Sequence, residues 1–583
     1  MTKTIVTTLN AKYIHMNLAL RLLKAYCEPE HPVDIREYTI KDPDMNIVSD
    51  LYQEKPDVIG FSCYIWNIEK TLGVAAMLKK VLPDTLMIFG GPEVSFDTDY
   101  WMQEYAQIDM IVRSEGEETL KGILDTLKGK TADFSAIQGL SWRQERSVRH
   151  NSSRGNMDIT TIPSPYRFQD DTADLGKRIV YFETSRGCPF RCQFCLSSIE
   201  QGVRYFPVEQ VKADILYLIE NGAKLIKFID RTFNINRDYA MDMFRFLIDN
   251  HQGCQFQFEI TGDIMRPEVL DYLNEHAPPG MFRFEIGVQS TNDHTNRIVE
   301  RRQNFNKLSR TIQKIKEGGK IDQHLDLIAG LPEENYESFK QTFNDVFALH
   351  PEELQLGFLK MLRGTGMRQR AKEFNYAYMD HAPYEILKNN VLSFDDVIRI
   401  KRVEDILEKY WNRKQLDYTV PFLIRHAFDS PFDFFQLFGD YWDQQQYGAI
   451  GHQFTDLFTR LKAFLETQPF DKTLVNQAIS LMKVDYLLHF KQKPHQLWWN
   501  QGQSKETLHA SMDVLLQSQD ATDNLPQDPK RLIKNGVFLD IPFSWDDYQS
   551  SNTLTEDDGF LYVYYGQHGP AIYSCSHRQT IHH

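Results

Sequence analysis

The stretch Glu183-Thr184-Ser185-Arg186-Gly187-Cys188-Pro189-Phe190-Arg191-Cys192-Gln193-Phe194-Cys195 places three cysteines within eight residues, at spacing C-x3-C-x2-C. An apolar run at 179–183 precedes them and reads as a strand, so the thiols lie on the loop at its carboxyl end. Three thiolates in one loop supply three corners of a cubane iron–sulfur cluster and leave the fourth iron open to a ligand. A closed zinc site is the alternative. It needs four ligands, usually as two close pairs, and Cys254 belongs to a different strand. Inert structural cysteines prefer apolar burial, whereas this loop is largely polar and turn-forming.

Downstream of the loop, strand signals recur at 225–229, 255–260, 282–288, 324–328 and 354–358, with helical periodicity between them. With 179–183 they make six strands alternating with helices, which predicts an open, partial (β/α)6 TIM-like barrel over 173–383. Upstream, strand signals at 4–8, 33–38, 58–62, 86–89 and 110–113 alternate with helices such as 68–82, which predicts a doubly wound parallel sheet over 1–135. Ligands of such sheets bind beyond the carboxyl ends of the strands. Between the two lies an expected linker with short strands, 136–172, which contains Pro163 and Pro165. From 384 to 583 alternation gives way to a mainly helical region with helices near 398–410, 457–465 and 474–490 and a strand-like tail at 560–565. Its aromatics Trp498, Trp499, Tyr562, Tyr564 and Tyr565 read as core. The chain is α/β with a helical C-terminal extension.

Composition narrows the function classes. The 583 residues, 42% hydrophobic and 25% charged, suit a folded protein of about three or four domains. A net charge of −15 argues against phosphate-backbone binding as the main activity. No apolar run approaches the ~18–20 residues of a membrane span. The expectation is a cytoplasmic protein without a membrane partner.

The cysteine loop, with Phe194 before the last cysteine, resembles the signature of the radical S-adenosylmethionine (SAM) superfamily. The strand-end segments Phe228-Ile229-Asp230-Arg231, Phe258-Glu259-Ile260, Glu285-Ile286-Gly287-Val288-Gln289-Ser290 and Asp326-Leu327-Ile328-Ala329-Gly330 are similar to the family's SAM-facing motifs. The resemblance implies a [4Fe-4S] cluster on Cys188, Cys192 and Cys195 whose open iron chelates SAM and cleaves it to a 5′-deoxyadenosyl radical. It also implies a SAM pocket that includes Phe194. There Glu259 and Gln289 accept from ribose hydroxyls and Asp230 holds the aminoacyl end. For each carboxylate the alternative is membership of a buried polar network in the barrel.

A doubly wound domain before such a barrel resembles the cobalamin-binding radical SAM class, through Leu9-Asn10-Ala11-Lys12-Tyr13-Ile14-His15, Gly60-Phe61-Ser62-Cys63-Tyr64-Ile65-Trp66-Asn67, Gly90-Gly91-Pro92-Glu93 and Ser114-Glu115-Gly116. The resemblance implies cobalamin contacts from His15, Tyr64, Trp66, Asn67, Gly90, Gly91, Pro92, Glu93, Glu115 and Gly116. The D-x-H-x-x-G pattern that supplies an axial histidine elsewhere is absent, and His15 lacks its context. The implied function is radical methylation of an unactivated carbon in a small molecule rather than a nucleic acid, served by an electron donor such as flavodoxin or ferredoxin. The alternatives are a tRNA methylthiotransferase, which requires three N-terminal cysteines where only Cys27 and Cys63 occur, and a non-catalytic corrinoid or redox sensor.

Overall fold

Strand β1 (Thr4–Asn10) is buried along its whole length although four of its residues are polar. Backbone acceptors on its neighbours satisfy two of them, Thr7 Oγ1 donating to Arg36 O (2.8 Å) and Thr8 Oγ1 to Ser62 O (3.1 Å), and Asn10 Nδ2 donates to His15 O and Glu37 Oε1 (both 3.0 Å). β-Branched threonines suit a pleated surface once their hydroxyls are paired. The short strand β2 (His15–Met16) follows, then β3 (Val33–Thr39), β4 (Val58–Ser62), β5 (Leu86–Gly90) and β6 (Met110–Val112). The sheet order is β3-β1-β4-β5-β6, all parallel. Successive strands are added on one side of β1 (β3) and then on the other (β4, β5, β6), so the crevice for a ligand lies at this switch point, at the carboxyl ends of β1 and β4. Strands β7 (Leu140–Gln144) and β8 (Ser147–His150) extend the same sheet antiparallel beyond β6. Part of the expected linker is therefore sheet edge.

The second sheet holds β9 (Ile179–Phe182), β12 (Leu225–Phe228), β13 (Gln255–Ile260), β14 (Phe282–Gln289), β15 (Ile321–Ala329) and β16 (Glu353–Phe358). The pairings from β9 to β15 are parallel. Its order, β16-β15-β14-β13-β12-β9-β2, contains a seventh strand that the sequence did not suggest. β2 leaves the first sheet's domain and pairs parallel with β9, His15 beside Ile179 and Met16 beside Val180. Between β9 and β12 the cysteine loop is framed by β10 (Ser185–Arg186), which pairs antiparallel with β11 (Arg204–Tyr205).

Alternation along β14 sorts the barrel's two faces. Phe282, Phe284, Ile286 and Val288 are buried under the helices, while Arg283, Glu285, Gly287 and Gln289 face the lumen. Phenylalanines from successive strands form a layer on the helix side, where Phe228 stacks on Phe258 at 4.4 Å. A small hairpin, β17 (Ala377–Tyr378) with β18 (Ile386–Lys388), follows the barrel.

This computed structural model describes residues 2–129, 133–145, 147–199, 202–500, 505–517, 525–551, 553–557 and 559–576. Apart from Glu353–Gln355 at the start of β16, both sheets so far belong to one unit, Met1–Glu352 with Leu356–Val397; Glu353–Gln355 and Ile398–His583 make the second. In the second, helices Thr419–His426, Pro431–Gln444, Phe454–Thr467 and Lys472–Leu488 are accompanied by an antiparallel sheet of β19 (Gly536–Ile541), β20 (Gly559–Gly566) and β21 (Gly569–Ser576). Tyr562 and Tyr565 are buried there, whereas Tyr564, Trp498 and Trp499 are half-buried. Among the described residues, no helix is long and apolar enough to cross a membrane.

Candidate functional site

The cysteine loop is anchored at both ends. On its amino side, Asp230 is fully buried and accepts from Thr184 N (3.1 Å), Thr184 Oγ1 (2.6 Å) and Ser185 Oγ (2.5 Å). Burial raises its pKa against these hydrogen bonds. Within the loop, Gln193 N donates to Val299 O (2.9 Å) and Gln193 O accepts from Met367 N (2.9 Å). Cys188 and Cys192 are buried, Cys195 and Phe194 half-buried, and all three thiols are free. Burial pushes the Cys192 thiol up, and the Arg301 guanidinium beside it, 3.9 Å from Sγ, pulls it down. Cys188 is raised by burial and by the neighbouring thiols.

These three sulfurs do not gather within 4.8 Å of one another; among the described residues only Glu30, His31 and Asp125 form such a group. Donors at ~2.3 Å around one tetrahedral zinc lie roughly 4 Å apart. Three free thiols on one loop, two of them buried, are donors of the kind a cubane cluster takes.

A cavity of about 750 Å³ opens between the carboxyl ends of the first sheet and the start of the barrel. His15, Tyr64, Trp66, Gly90, Gly91, Pro92, Glu115 and Gly116 line it, together with Leu196, Ser197 and Ile199 of the cysteine loop. Tyr64 and Trp66 stack at 4.4 Å and 7°, and Trp66 is 48% exposed. The two glycines differ. Gly91 has φ +103 and a Cβ there would lie 2.5 Å from Cys63 O, so packing alone demands it. At Gly90 a Cβ would meet only ordinary contacts at 3.7 Å, so its bareness leaves room for a ligand. A broad, mostly apolar cavity with bare backbone at a strand end fits a corrin. His15 Nδ1 lies 2.9 Å from Tyr181 Oη, and burial, then Lys12, Lys227 and Arg178, lower its pKa, so the imidazole is neutral near pH 7.

Two expected contacts face elsewhere. Asn67 is buried and pins the strand ends: its Nδ2 donates to Thr8 Oγ1 (3.2 Å), Leu9 O (3.2 Å) and Ser62 O (3.1 Å), while Oδ1 accepts from Tyr64 N (2.8 Å). It positions Tyr64. Glu93 accepts from Tyr384 Oη (2.5 Å) near Arg363, and burial raises its pKa.

In the lumen, Gln289 ends β14 with φ +68, and its carboxamide lies over the bare Gly287, where any Cβ would collide with it. Its Oε1 is buried without a hydrogen-bond partner among the described residues. A buried orphan acceptor fits a ligand hydroxyl. Glu259 stands in the field of Arg231, Lys227, Glu285 and Asp326, with its pKa raised chiefly by burial. Glu285 belongs to a polar network, bound by Lys227 Nζ at 2.8 and 2.9 Å.

Sequence reasoning missed a cluster at the edge of the cavity. Arg186 Nη1 meets Glu115 (3.1 Å), its Nη2 meets Glu117 (2.6 Å) and its Nε meets Glu183 (3.1 Å), while Arg204 Nη2 holds Glu115 at 2.8 Å. All five side chains are largely buried. Burial lifts Glu183 to about 7 against the pull of Arg186. Burial also opposes the Arg186 charge, yet Glu183, Glu117 and Glu115 together raise its pKa. The expected cavity residue Glu115 is thus a partner of two arginines.

Comparison with known proteins follows the same division. Residues 4–124 match the family profile "B12 binding domain", 182–346 "Radical SAM superfamily" and 372–559 "Protein of unknown function (DUF4080)". An uncharacterized methyltransferase of Pyrococcus horikoshii is 32% identical over 39% of this chain and 51% of its own. The cobalamin-dependent radical SAM methyltransferase TokK of Streptomyces tokunonensis is 26% identical over 56% of this chain and 51% of its own. The chain thus spans about half the length of these relatives. In fold it is similar to the radical SAM methyltransferase TsrM of Kitasatospora setae, solved with cobalamin and a [4Fe-4S] cluster bound. That match has a TM-score of 0.54 at 15% identity, over 66% of this chain and 82% of that one.

Proposed function

We propose that the chain, whose segments match the B12-binding, radical SAM and DUF4080 profiles, is a cobalamin-binding radical SAM enzyme that transfers a methyl group to an unactivated carbon of a small molecule. One observation carries this reading: a single cavity is walled on one side by Tyr64, Trp66 and Gly90 and on the other by Leu196, Ser197 and Ile199 of the cysteine loop. When bound, the two groups would supply one-electron cleavage of SAM and a transferable methyl.

The chain's own residues hold and orient. Cys188, Cys192 and Cys195 ligate the cluster, and Asp230 fixes the strand end from which their loop departs. Gln289 Oε1 accepts a ribose hydroxyl, and Glu259 supplies a second acceptor from β13. Tyr64 and Trp66 cover an apolar face of the corrin and keep water from it. His15, fixed by Tyr181, presents a neutral imidazole to the cavity. The relatives named as methyltransferases support methyl transfer over other radical outcomes. Reducing equivalents come from a small carrier such as flavodoxin or ferredoxin. A methylthiotransferase reading lacks support: Cys27 is buried with its thiol pushed to about 12, and Cys63 is buried and raised further.

Anaerobically reconstituted protein given dithionite and SAM yields 5′-deoxyadenosine, and Cys192→Ala abolishes it. The same preparation takes up cobalamin. Absence of 5′-deoxyadenosine from iron-replete protein, or failure to retain cobalamin, refutes the reading.

A further inference from the structure

We propose that Arg186 is a positioning residue that ties the cysteine loop to the cobalamin cavity, so that filling the cavity orders the iron–sulfur ligands. This rests on the binding of both groups proposed above.

The argument follows the chain atom by atom. Glu115 and Glu117 belong to the turn after β6 and the first turn of helix Glu117–Lys128, and both line the cavity. Their carboxylates grip Arg186 at 3.1 and 2.6 Å. Glu183, at the end of β9, grips the same guanidinium at 3.1 Å and also lines the cavity. Arg186 is therefore held by three carboxylates from two domains, and it stands two residues before Cys188. A planar guanidinium with five donors can bind three carboxylates at once; a lysine ammonium cannot reproduce that fork.

The link from Arg186 to Cys188 is stiff. Gly187 has φ +94, and its α-carbon abuts Gly202 O so closely that any Cβ would collide with it. Arg186 is itself paired in register with Arg204, whose guanidinium closes the cluster by holding Glu115 at 2.8 Å and Met157 O at 2.8 Å. Displacement of the Glu115–Glu117 turn thus reaches the first cysteine through one residue clamped backbone to backbone. Because the latch is also cavity wall, an occupant presses on it directly. Two guanidiniums face three carboxylates, so removing Arg186 leaves buried acids with too few counterions and leaves the turn joined to the loop's hairpin through Arg204 and Glu115 alone.

The test is hydrogen exchange by mass spectrometry over residues 186–199 of cluster-loaded protein, with and without cobalamin, under anaerobic conditions. Iron content and cobalamin uptake are measured on every sample. In the wild type, cobalamin slows exchange in this segment about tenfold, the size of an ordinary coupling between sites. In Arg186→Lys and in Glu117→Gln, which removes one ion pair from the cobalamin side only, the cluster and cobalamin are retained and the slowing falls at least threefold, the Arg204–Glu115 pair carrying what remains. Equal slowing in both variants overturns the proposal. So does a variant that loses iron while its cobalamin affinity is unchanged and Glu117→Gln behaves as wild type, because Arg186 would then serve the cysteine loop alone. Wild-type protein that takes up no cobalamin refutes the proposed function itself, an outcome read from uptake before any exchange is compared.

Discussion

Gly187→Ala is the sharpest local perturbation available in the cysteine loop. Its φ of +94 lies outside the left-handed well that L-residues tolerate, which costs ~1–3 kcal/mol. The new methyl would also drive into Gly202 O, a backbone atom fixed by the β10–β11 pairing of Ser185 with Tyr205 and Arg186 with Arg204. Forcing an extra methyl into a packed site costs a further ~1–3 kcal/mol. The sum, about 2–6 kcal/mol, is comparable with the energy holding a short hairpin in place, so β10 and β11 separate and Cys188 leaves its position. Gly202→Ala is the matched control: its φ is +86, but no atom lies within 4 Å of the added methyl, so only the conformational part applies. The assay is iron and acid-labile sulfide per chain after anaerobic reconstitution, with thermal melting in parallel. Gly187→Ala is expected to lose most of its iron, and Gly202→Ala to keep nearly all of it. Equal iron in the two variants would falsify the steric argument.

Two further outcomes follow from the site. Glu334 is fully buried; Ser290 Oγ (2.6 Å) and Thr342 Oγ1 (2.7 Å) both donate to its Oε1, and burial lifts its pKa from 4.5 to about 7. The native state therefore holds a proton that the unfolded chain releases, and wild-type stability falls as pH rises from about 4.5 to 7; Glu334→Gln escapes this, so its advantage grows to about 3 kcal/mol and stays constant above pH 7. Denaturant titrations at pH 5 and pH 8 that move in parallel for the two proteins would contradict it. Trp66→Ala removes a half-exposed ring stacked on Tyr64, so cobalamin affinity drops roughly tenfold while melting is unchanged; an absorbance titration giving wild-type affinity would remove Trp66 from the corrin face.

Both sheets were legible because their strands are short apolar runs, as at Leu86–Gly90, or strict apolar–polar alternations, as at Phe282–Gln289, ended by turn residues. The cysteine spacing was legible because ligands on one loop are a local property. What escaped is set by partners far away in sequence. His15 and Met16 carry no strand signal of their own and become one only by lying against Ile179 and Val180. Arg186, Glu117 and Arg204 read as ordinary charged positions until the fold brings them together. Asn67 and Glu93 were placed correctly at strand ends, but which way a side chain turns there depends on Thr8 in one case and Tyr384 in the other. In the helical region, the run at 560–565 showed as a strand, whereas its pairing with Gly536–Ile541 and Gly569–Ser576 is a matter of register.

The crossing of β2 into the neighbouring sheet bears on how this molecule can be taken apart. Residues 10–17 leave one domain, lend a rung to the other and return to begin helix Leu18–Cys27, so no single cut separates the two halves. A fragment ending after β6 would carry an orphaned rung, and a barrel expressed alone would expose the flank of β9. Grafting either half onto another scaffold must carry this thread with it. The two halves also cannot swing apart about that flank as a book opens at its spine without first breaking the pairs of His15 with Ile179 and Met16 with Val180.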